Sequence, residues 1–368
     1  MACSDTSPAP QGRLARQPLP AQFLLLVLLS VVMVALLELL RLPAALLLGP
    51  MVAAIILASA EVRVRVPRLP FQLAQAVIGC MIARVITPAT LAEVAADWPI
   101  FLAGVLSVVA ASALLGWLLA RAQVLPGTTA VWGSSPGAAA AMVFMAEAHG
   151  ADVRLVAFMQ YVRVVLVAVA ASAVARIWVG AGGGAPAPVW FPETDWAGLA
   201  MTLALAWGCV GLSMALRFRS GPFLLPLVLG VALEGAGLIR IELPLWLLAL
   251  SYAMVGWSIG LRFTRSILRH AMRALPRLVA SILLLMAICG AFAAALVAFA
   301  GVDPLTAYLA TSPGGADSVA IIAASSDVDV SFVMAMQTSR FLVVLVTGPA
   351  LARLIARLVR RRLAGGTP

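Results

Sequence analysis

The amino-acid sequence predicts an all-α polytopic membrane protein made of two inverted repeats. Each repeat holds five transmembrane helices plus one re-entrant or broken helix. Three observations predict it. The chain of 368 residues is 63% hydrophobic and only 11% charged, against roughly 25% charged residues in a soluble domain. Apolar runs long enough to cross a ~30 Å hydrocarbon core recur from end to end. The two halves of the chain also match each other at a fixed offset.

Composition narrows the function classes. The net charge is +10 and the mean hydropathy is +1.06. Every basic residue is Arg, and the arginines are scattered between apolar spans without forming a basic domain, which argues against nucleic acid as a partner. The partner that the composition does imply is the lipid bilayer. The four cysteines lie far apart, and neither they nor the two histidines, His149 and His270, have metal-ligand spacing. No metal and no cofactor is expected, and no enzymatic activity.

The apolar runs of the first half span 22–40, 43–60, 69–87, 98–120 and 153–179. Those of the second half span 197–216, 221–239, 243–261, 275–300 and 331–356. The run 22–40 is too long for a signal-peptide core and is read as a retained first span. The expected organisation is a cytoplasmic tail at 1–20, a first membrane repeat at 21–180 and a Gly/Pro-rich linker at 181–196. A second repeat follows at 197–358, and a basic tail at 359–368.

An offset of 177 residues relates the halves. It places Pro67 on Pro244, Gly79 on Gly256, Pro99 on Pro276 and Ser135-Pro136-Gly137 on Ser312-Pro313-Gly314. Asp152 falls on Asp329, Gln160 on Gln337 and Arg163 on Arg340. Chance does not readily align Pro, Gly, Gln and Arg in one ungapped register, so the halves read as a duplication.

The two Ser-Pro-Gly breaks interrupt the segments 125–148 and 304–325. Non-helical backbone at membrane depth is tolerated only inside protein or beside a water-filled cavity. Each segment either crosses as two half-helices or dips in and returns as a hairpin. The excess of basic residues on cytoplasmic flanks favours hairpins. With ten crossings and both termini inside, only Arg41, Arg84, Arg176 and Arg240 lie outside, and Arg163 and Arg340 lie in mid-membrane. Five crossings per repeat then invert one repeat relative to the other, which brings interrupted helices together at the midplane as in secondary transporters. Each tip would present a helix N-terminus with free N–H groups, opened by its proline.

The candidate substrate-binding residues cluster at these tips. They are Ser134, Ser135, Pro136, Gly137, Gln160 and Arg163 in the first repeat. In the second they are Thr311, Ser312, Pro313, Gly314, Gly315, Asp317, Gln337 and Arg340. A charge ten residues into a span faces a cavity or a partner. Arg163 and Arg340 therefore either bind an anionic group or pin each repeat by bonding hairpin carbonyls. Gln160 and Gln337 share a ligand or bridge spans. Asp317 reads as a coupling site for a proton or sodium ion, or as a salt-bridge partner of an arginine. The tip hydroxyls contact substrate or satisfy broken backbone. Asp152 and Asp329 read as helix N-caps.

The Ser-Pro-Gly segments, the stretch AEAHGADVRLVAFMQYVRVVLV and the duplicated halves resemble the AbrB-type membrane protein family over roughly 25–360. Some of its members are labelled ammonia monooxygenase. The resemblance implies a membrane protein concerned with gene regulation or ammonia oxidation, though neither label follows from the motifs. The soluble DNA-binding AbrB proteins share only the name. An acid often follows the first tip elsewhere in the family, whereas residues 138–141 are all alanine here. The expected function is secondary transport of a small anionic solute across a bacterial inner membrane, by a chain that can self-associate as a homo-oligomer. The alternative is a membrane regulator or sensor; an ammonia monooxygenase ranks last.

Overall fold

The computed structural model describes residues 17–40, 44–122, 127–179, 190–191, 193–314, 319, 323 and 328–364. Every described element is a helix. The first half contains α1 (Leu19–Leu39), α2 (Ala45–Ser59), α3 (Arg68–Val85), α4 (Pro88–Ala96), α5 (Trp98–Arg121), α6 (Gly127–Ser134), α7 (Ala139–Ala148) and α8 (Val153–Val179). The second contains α9 (Trp196–Ala215), α10 (Gly221–Gly235), α11 (Leu245–Gly260), α12 (Arg265–Ala300), α13 (Pro304–Thr311) and α14 (Val330–Ala364).

Six helices, α1, α5, α8, α9, α12 and α14, are long and apolar enough to cross a membrane. A seventh span forms if α3 and α4 are joined across their 55° bend. Large apolar side chains such as Leu24, Leu28, Val31 and Val32 on α1 are exposed, a pattern that suits lipid and not water. The chain is a membrane protein. Helices α2, α10 and α11 are shorter than their apolar runs, at 15–16 residues. They rise only about 23 Å. The connections beyond them are non-helical over 62–66 and 239–243.

Local rules set the helix starts. Proline occupies the first turn of α1, α4, α5, α10 and α13, where its missing N–H costs nothing. Thr87 caps α4 by accepting from the Thr90 N–H, and Thr264, 177 residues later, caps α12 by accepting from the Ile267 N–H. The basic cluster 262–277, which precedes and overlaps the start of the apolar run 275–300, is helical from Arg265 onward. Arg269, Arg273 and Arg277 share its exposed face, while Ala271, Ala274 and Leu278 pack on Leu119, Ala130 and Met159. A charge at every fourth position, with small apolar residues between, makes an amphipathic start to a membrane helix.

The halves interlock by exchanging neighbours: α2 packs on α11, and α3 packs on α10. Glycine permits this approach. A Cβ on Gly79 would lie 2.6 Å from the Phe223 carbonyl oxygen, and one on Gly256 would lie 2.8 Å from that of Leu47. These two glycines occupy equivalent positions of the duplication. Their pairing in sequence thus reflects two equivalent backbone contacts.

The Ser-Pro-Gly segments lie inside this frame. Thr129, at the start of α6, accepts from the Asp152 N–H at 3.1 Å, just beyond α7. Two collinear half-helices would hold these residues roughly 30 Å apart. The chain therefore folds back at the tip and returns to its starting level. Trp132 on α6 stacks at 5.4 Å on His149 at the end of α7, across the same fold. The second repeat closes identically, with the Asp329 N–H donating to Thr306 Oγ1 at 3.3 Å.

Candidate functional site

Each tip is held by a Gln and an Arg from the helix that follows it. Gln160 and Arg163 lie three residues apart on α8, hence on one face. Gln160 Nε2 donates to the carbonyls of Trp132 and Ser135 at 2.8 and 3.1 Å. Arg163 Nη1 donates to the carbonyls of Ser134 and Ser135 at 3.2 and 2.8 Å, and Nη2 donates to Gln160 Oε1. On α14, Gln337 Nε2 donates to the carbonyls of Leu309 and Ser312 at 2.9 and 3.2 Å. Arg340 reaches the carbonyls of Ser312 and Gly314 at 2.8 and 3.4 Å and also bonds Gln337 Oε1. Breaking a helix frees carbonyls that lipid cannot satisfy, and these side chains supply the missing donors.

All four side chains are buried, with Arg163 at 1% and Arg340 at 3% exposure. In both arginines Nε has no acceptor among the described residues. The tip hydroxyls turn inward to the backbone. Ser134 and Ser135 donate to the Val131 carbonyl, Ser312 donates to that of Leu309, and Thr311 donates to that of Ala307. Pro136 does not open a helix, contrary to expectation. It precedes Gly137 and Ala138, and α7 begins at Ala139. Ala138 is the N-cap residue and has no side-chain acceptor, so the first N–H groups of α7 lack a side-chain cap. Gly315, Asp317 and Ser318 lie outside the described residues.

A cavity of about 480 Å³ opens where the tips approach each other. Equivalent positions of the two repeats both line it: Gly137 and Gly314, Tyr161 and Thr338, Val164 and Phe341. The equivalence fails at the polar pair. Gln337 and Arg340 line the cavity, while Gln160 and Arg163 do not. Ala138, Ala139 and Ala140 bring the start of α7 to the same wall, with its partial positive charge. The rest of the wall is mostly apolar, from α2, α3 and α11.

Of the residues predicted for the site, Gly137, Gly314, Gln337 and Arg340 therefore reach the cavity. Ser134, Ser135, Pro136, Gln160, Arg163, Thr311, Ser312 and Pro313 do not line it; the side chains among them that bond do so to hairpin backbone, with Arg163 also bonding Gln160 and Thr311 also donating to the Cys289 carbonyl. Sequence reasoning missed Glu38, Tyr161 and Tyr252, which do line it. Tyr252 Oη donates to Met81 Sδ at 3.1 Å. The chain has three tyrosines, and the two that line the cavity come from different repeats, which their positions in sequence did not mark. Glu38 carried no signal, because it ends an apolar run as any interfacial acid would.

At the outer end of the first hairpin, Asp152 caps α8 by accepting from the Arg154 N–H, and Asp329 caps α14 by accepting from the Phe332 N–H. Burial alone would raise the Asp152 pKa. The hydrogen bonds and positive charge of Arg154 outweigh it and hold the carboxyl below its usual range. Glu147 pairs with Arg262 at 2.8 Å and so ties the hairpin to the loop after α11.

A chain of paired, glycine-tipped hairpins on a duplicated frame finds its counterpart among known proteins. The profile described as "Transition state regulatory protein AbrB" matches residues 46–356. The "Putative regulator AbrB" of Escherichia coli (strain K12) is 49% identical over 326 residues, covering 88% of this chain and 93% of that protein. The "Uncharacterized protein YhjN" of Bacillus subtilis (strain 168) is 27% identical over 307 residues, 78% of each chain. On the extent of these matches, the chain belongs to the AbrB family.

Proposed function

We propose that this membrane protein is a secondary transporter of a small anionic solute, with its binding site in the cavity between the hairpin tips. The observation that carries the reading is the composition of that cavity. It joins two broken-helix tips, the uncapped start of α7 and one buried guanidinium, Arg340. Fixed donors and a helix N-terminus favour an anion, and tips that fold back can open to one side at a time.

The same reading sets the topology. Five crossings and one hairpin per repeat invert the second repeat relative to the first. Both termini lie in the cytoplasm of a bacterial cell, and the chain sits in its inner membrane. The polar contacts of the first hairpin's outer end support this. Arg154 donates to the Arg262 carbonyl, Arg262 pairs with Glu147, and Arg265 donates to the Ser59 carbonyl; the three arginines are all assigned to the cytoplasmic side. A proton or sodium ion would couple transport, with Asp317 as its site.

Uptake or efflux in proteoliposomes tests the proposal. Arg340→Ala and Leu248→Trp should each abolish solute movement. Leu248 lines the cavity but makes none of the tip hydrogen bonds, so a bulky side chain there blocks the site and leaves the hairpins held. Transport at the wild-type rate by folded Leu248→Trp protein would refute the assigned site.

The names of the relatives favour a second reading, a membrane regulator that alters gene expression indirectly. It predicts a transcript change on deletion that is rescued equally by wild-type and Arg340→Ala protein.

A further inference from the structure

The connection between α2 and α3 reads Val-Arg-Val-Arg-Val, is non-helical over residues 62–66, and alternates residue by residue between half-buried and exposed, as an extended chain does. Alternation in an extended chain sends successive side chains to opposite faces. Val62, Val64 and Val66 pack against the cluster of Leu26, Ala53, Leu57 and Trp257. Arg63 and Arg65 are exposed on the other face, about 7 Å apart along the backbone. With the three valines they line a cleft of about 810 Å³, to which Ser258, Leu261 and Arg262 also contribute. Arg262 is held in place by Glu147 at 2.8 Å and by Ser258 Oγ at 3.4 Å. The guanidiniums of Arg63 and Arg65 meet no carboxylate or carbonyl among the described residues; the ion pairs there are Arg154–Asp152 and Arg262–Glu147. Glu61, in the turn before, is exposed and joins neither pair.

The second repeat supplies an internal control. At the same offset the connection before α11 reads Ile-Arg-Ile-Glu-Leu, residues 239–243. It has the same extended backbone and the same apolar alternation. In it the Glu242 N–H is held by Thr202 Oγ1, whereas in the first repeat the held N–H, by Gln22 Oε1, is that of Arg63, two positions earlier in the register. Only the outward charges differ: Glu242 stands where the first repeat has Arg65. Building this connection does not require two arginines. The connection with two arginines is the one assigned to the cytoplasmic side, where basic residues are in excess, and both of its arginines line the cleft.

We infer that Arg63, Arg65 and Arg262 form a binding site for a phosphate-bearing anion. The cleft lies at the ends of α2 and α11 and beside the start of α1, the level at which lipid headgroups meet a membrane protein. Planar guanidiniums grip phosphate oxygens in pairs, and three around one cleft suit a phosphodiester headgroup or free phosphate. The site is independent of the transport cavity, and its failure would leave the transport reading untouched.

The experiment uses delipidated full-length protein in a zwitterionic detergent. Thermal stability and native mass spectra are recorded with added phosphatidylglycerol, phosphatidylcholine or inorganic phosphate. Stabilisation and retained adducts with phosphatidylglycerol alone assign a lipid headgroup. The same effects with inorganic phosphate assign the free anion. In either case Arg63→Gln/Arg65→Gln should weaken binding roughly tenfold, while Arg217→Gln/Arg219→Gln, which removes equal charge elsewhere, should not. Equal effects of phosphatidylglycerol and phosphatidylcholine on the wild type, with none from phosphate, would overturn the inference whether or not the variant folds. So would equal weakening by both double variants.

Discussion

Arg163 and Arg340, 177 positions apart, donate to the carbonyls of Ser135 and Ser312 at the same distance, 2.8 Å. One repeat thus reproduces the other at the level of single hydrogen bonds, yet only Arg340 lines the cavity. A shared structural task and an unshared binding task are superimposed on equivalent residues.

That split is measurable. Arg163→Ala and Arg340→Ala should both lower stability by about 3 kcal/mol, because buried tip carbonyls lose their donors. At a temperature where both remain folded, Arg163→Ala should keep a measurable transport rate and Arg340→Ala should not. Thermal denaturation in detergent checks the first statement and proteoliposome flux the second. Equal transport by the two variants would break the asymmetry on which the site rests.

The interlocking glycines make a sharper packing test. Gly79→Ala and Gly256→Ala each place a methyl within 3 Å of a backbone oxygen, which should cost about 1–3 kcal/mol. Gly208→Ala meets nothing within 4 Å and should be neutral or stabilising by up to ~1 kcal/mol. Melting temperatures in one detergent compare all three. An unchanged value for Gly256→Ala would mean that α2 and α11 do not approach as described.

The hairpin closure can be trapped chemically. In a background without native cysteines, Thr129→Cys/Asp152→Cys should form a disulfide under mild oxidant, since the two positions are joined by a 3.1 Å hydrogen bond. Half-helices that cross the bilayer would hold them apart and leave both thiols free to alkylate.

Acid should loosen this closure. The Asp152 pKa is lower folded than unfolded. Its contribution to stability is therefore complete above the unfolded carboxylate range and is lost as pH falls through the folded value. The carboxyl is partly exposed, so the effect is modest. Melting curves recorded from neutral pH downward should steepen their decline in that acid range, and Asp152→Asn should remove part of the slope.

Much of this was readable in the residues because duplication writes each constraint twice. Gly79 and Gly256, Gln160 and Gln337, and the two Ser-Pro-Gly tips announced positions that hydrogen bonding or close contact then explained. What could not be read depended on three-dimensional offset. The amphipathic start of α12 lies ahead of its apolar run and was not marked, because arginines four apart mark a helix face only when small residues between them find a neighbour. The exclusion of Arg163 from the cavity follows from how the two tips meet, which no single-repeat pattern encodes. Tyr161 and Tyr252 come from different repeats and converge only on folding. Residues with local roles, such as Thr87, Thr264, Asp152 and Asp329, were the most legible or became so once paired, since a cap needs only its own helix.

Two-sided labelling of single cysteines tests the inverted arrangement most directly. Ala122 lies at the chain entry to the first hairpin and Ala300 at the entry to the second, and both are exposed. In a cysteine-free background, a membrane-impermeant maleimide should modify Ala122→Cys only from the cytoplasmic face and Ala300→Cys only from the opposite face. Labelling of both from the same face would contradict the inversion and, with it, two hairpins that meet from opposite sides around a transported solute.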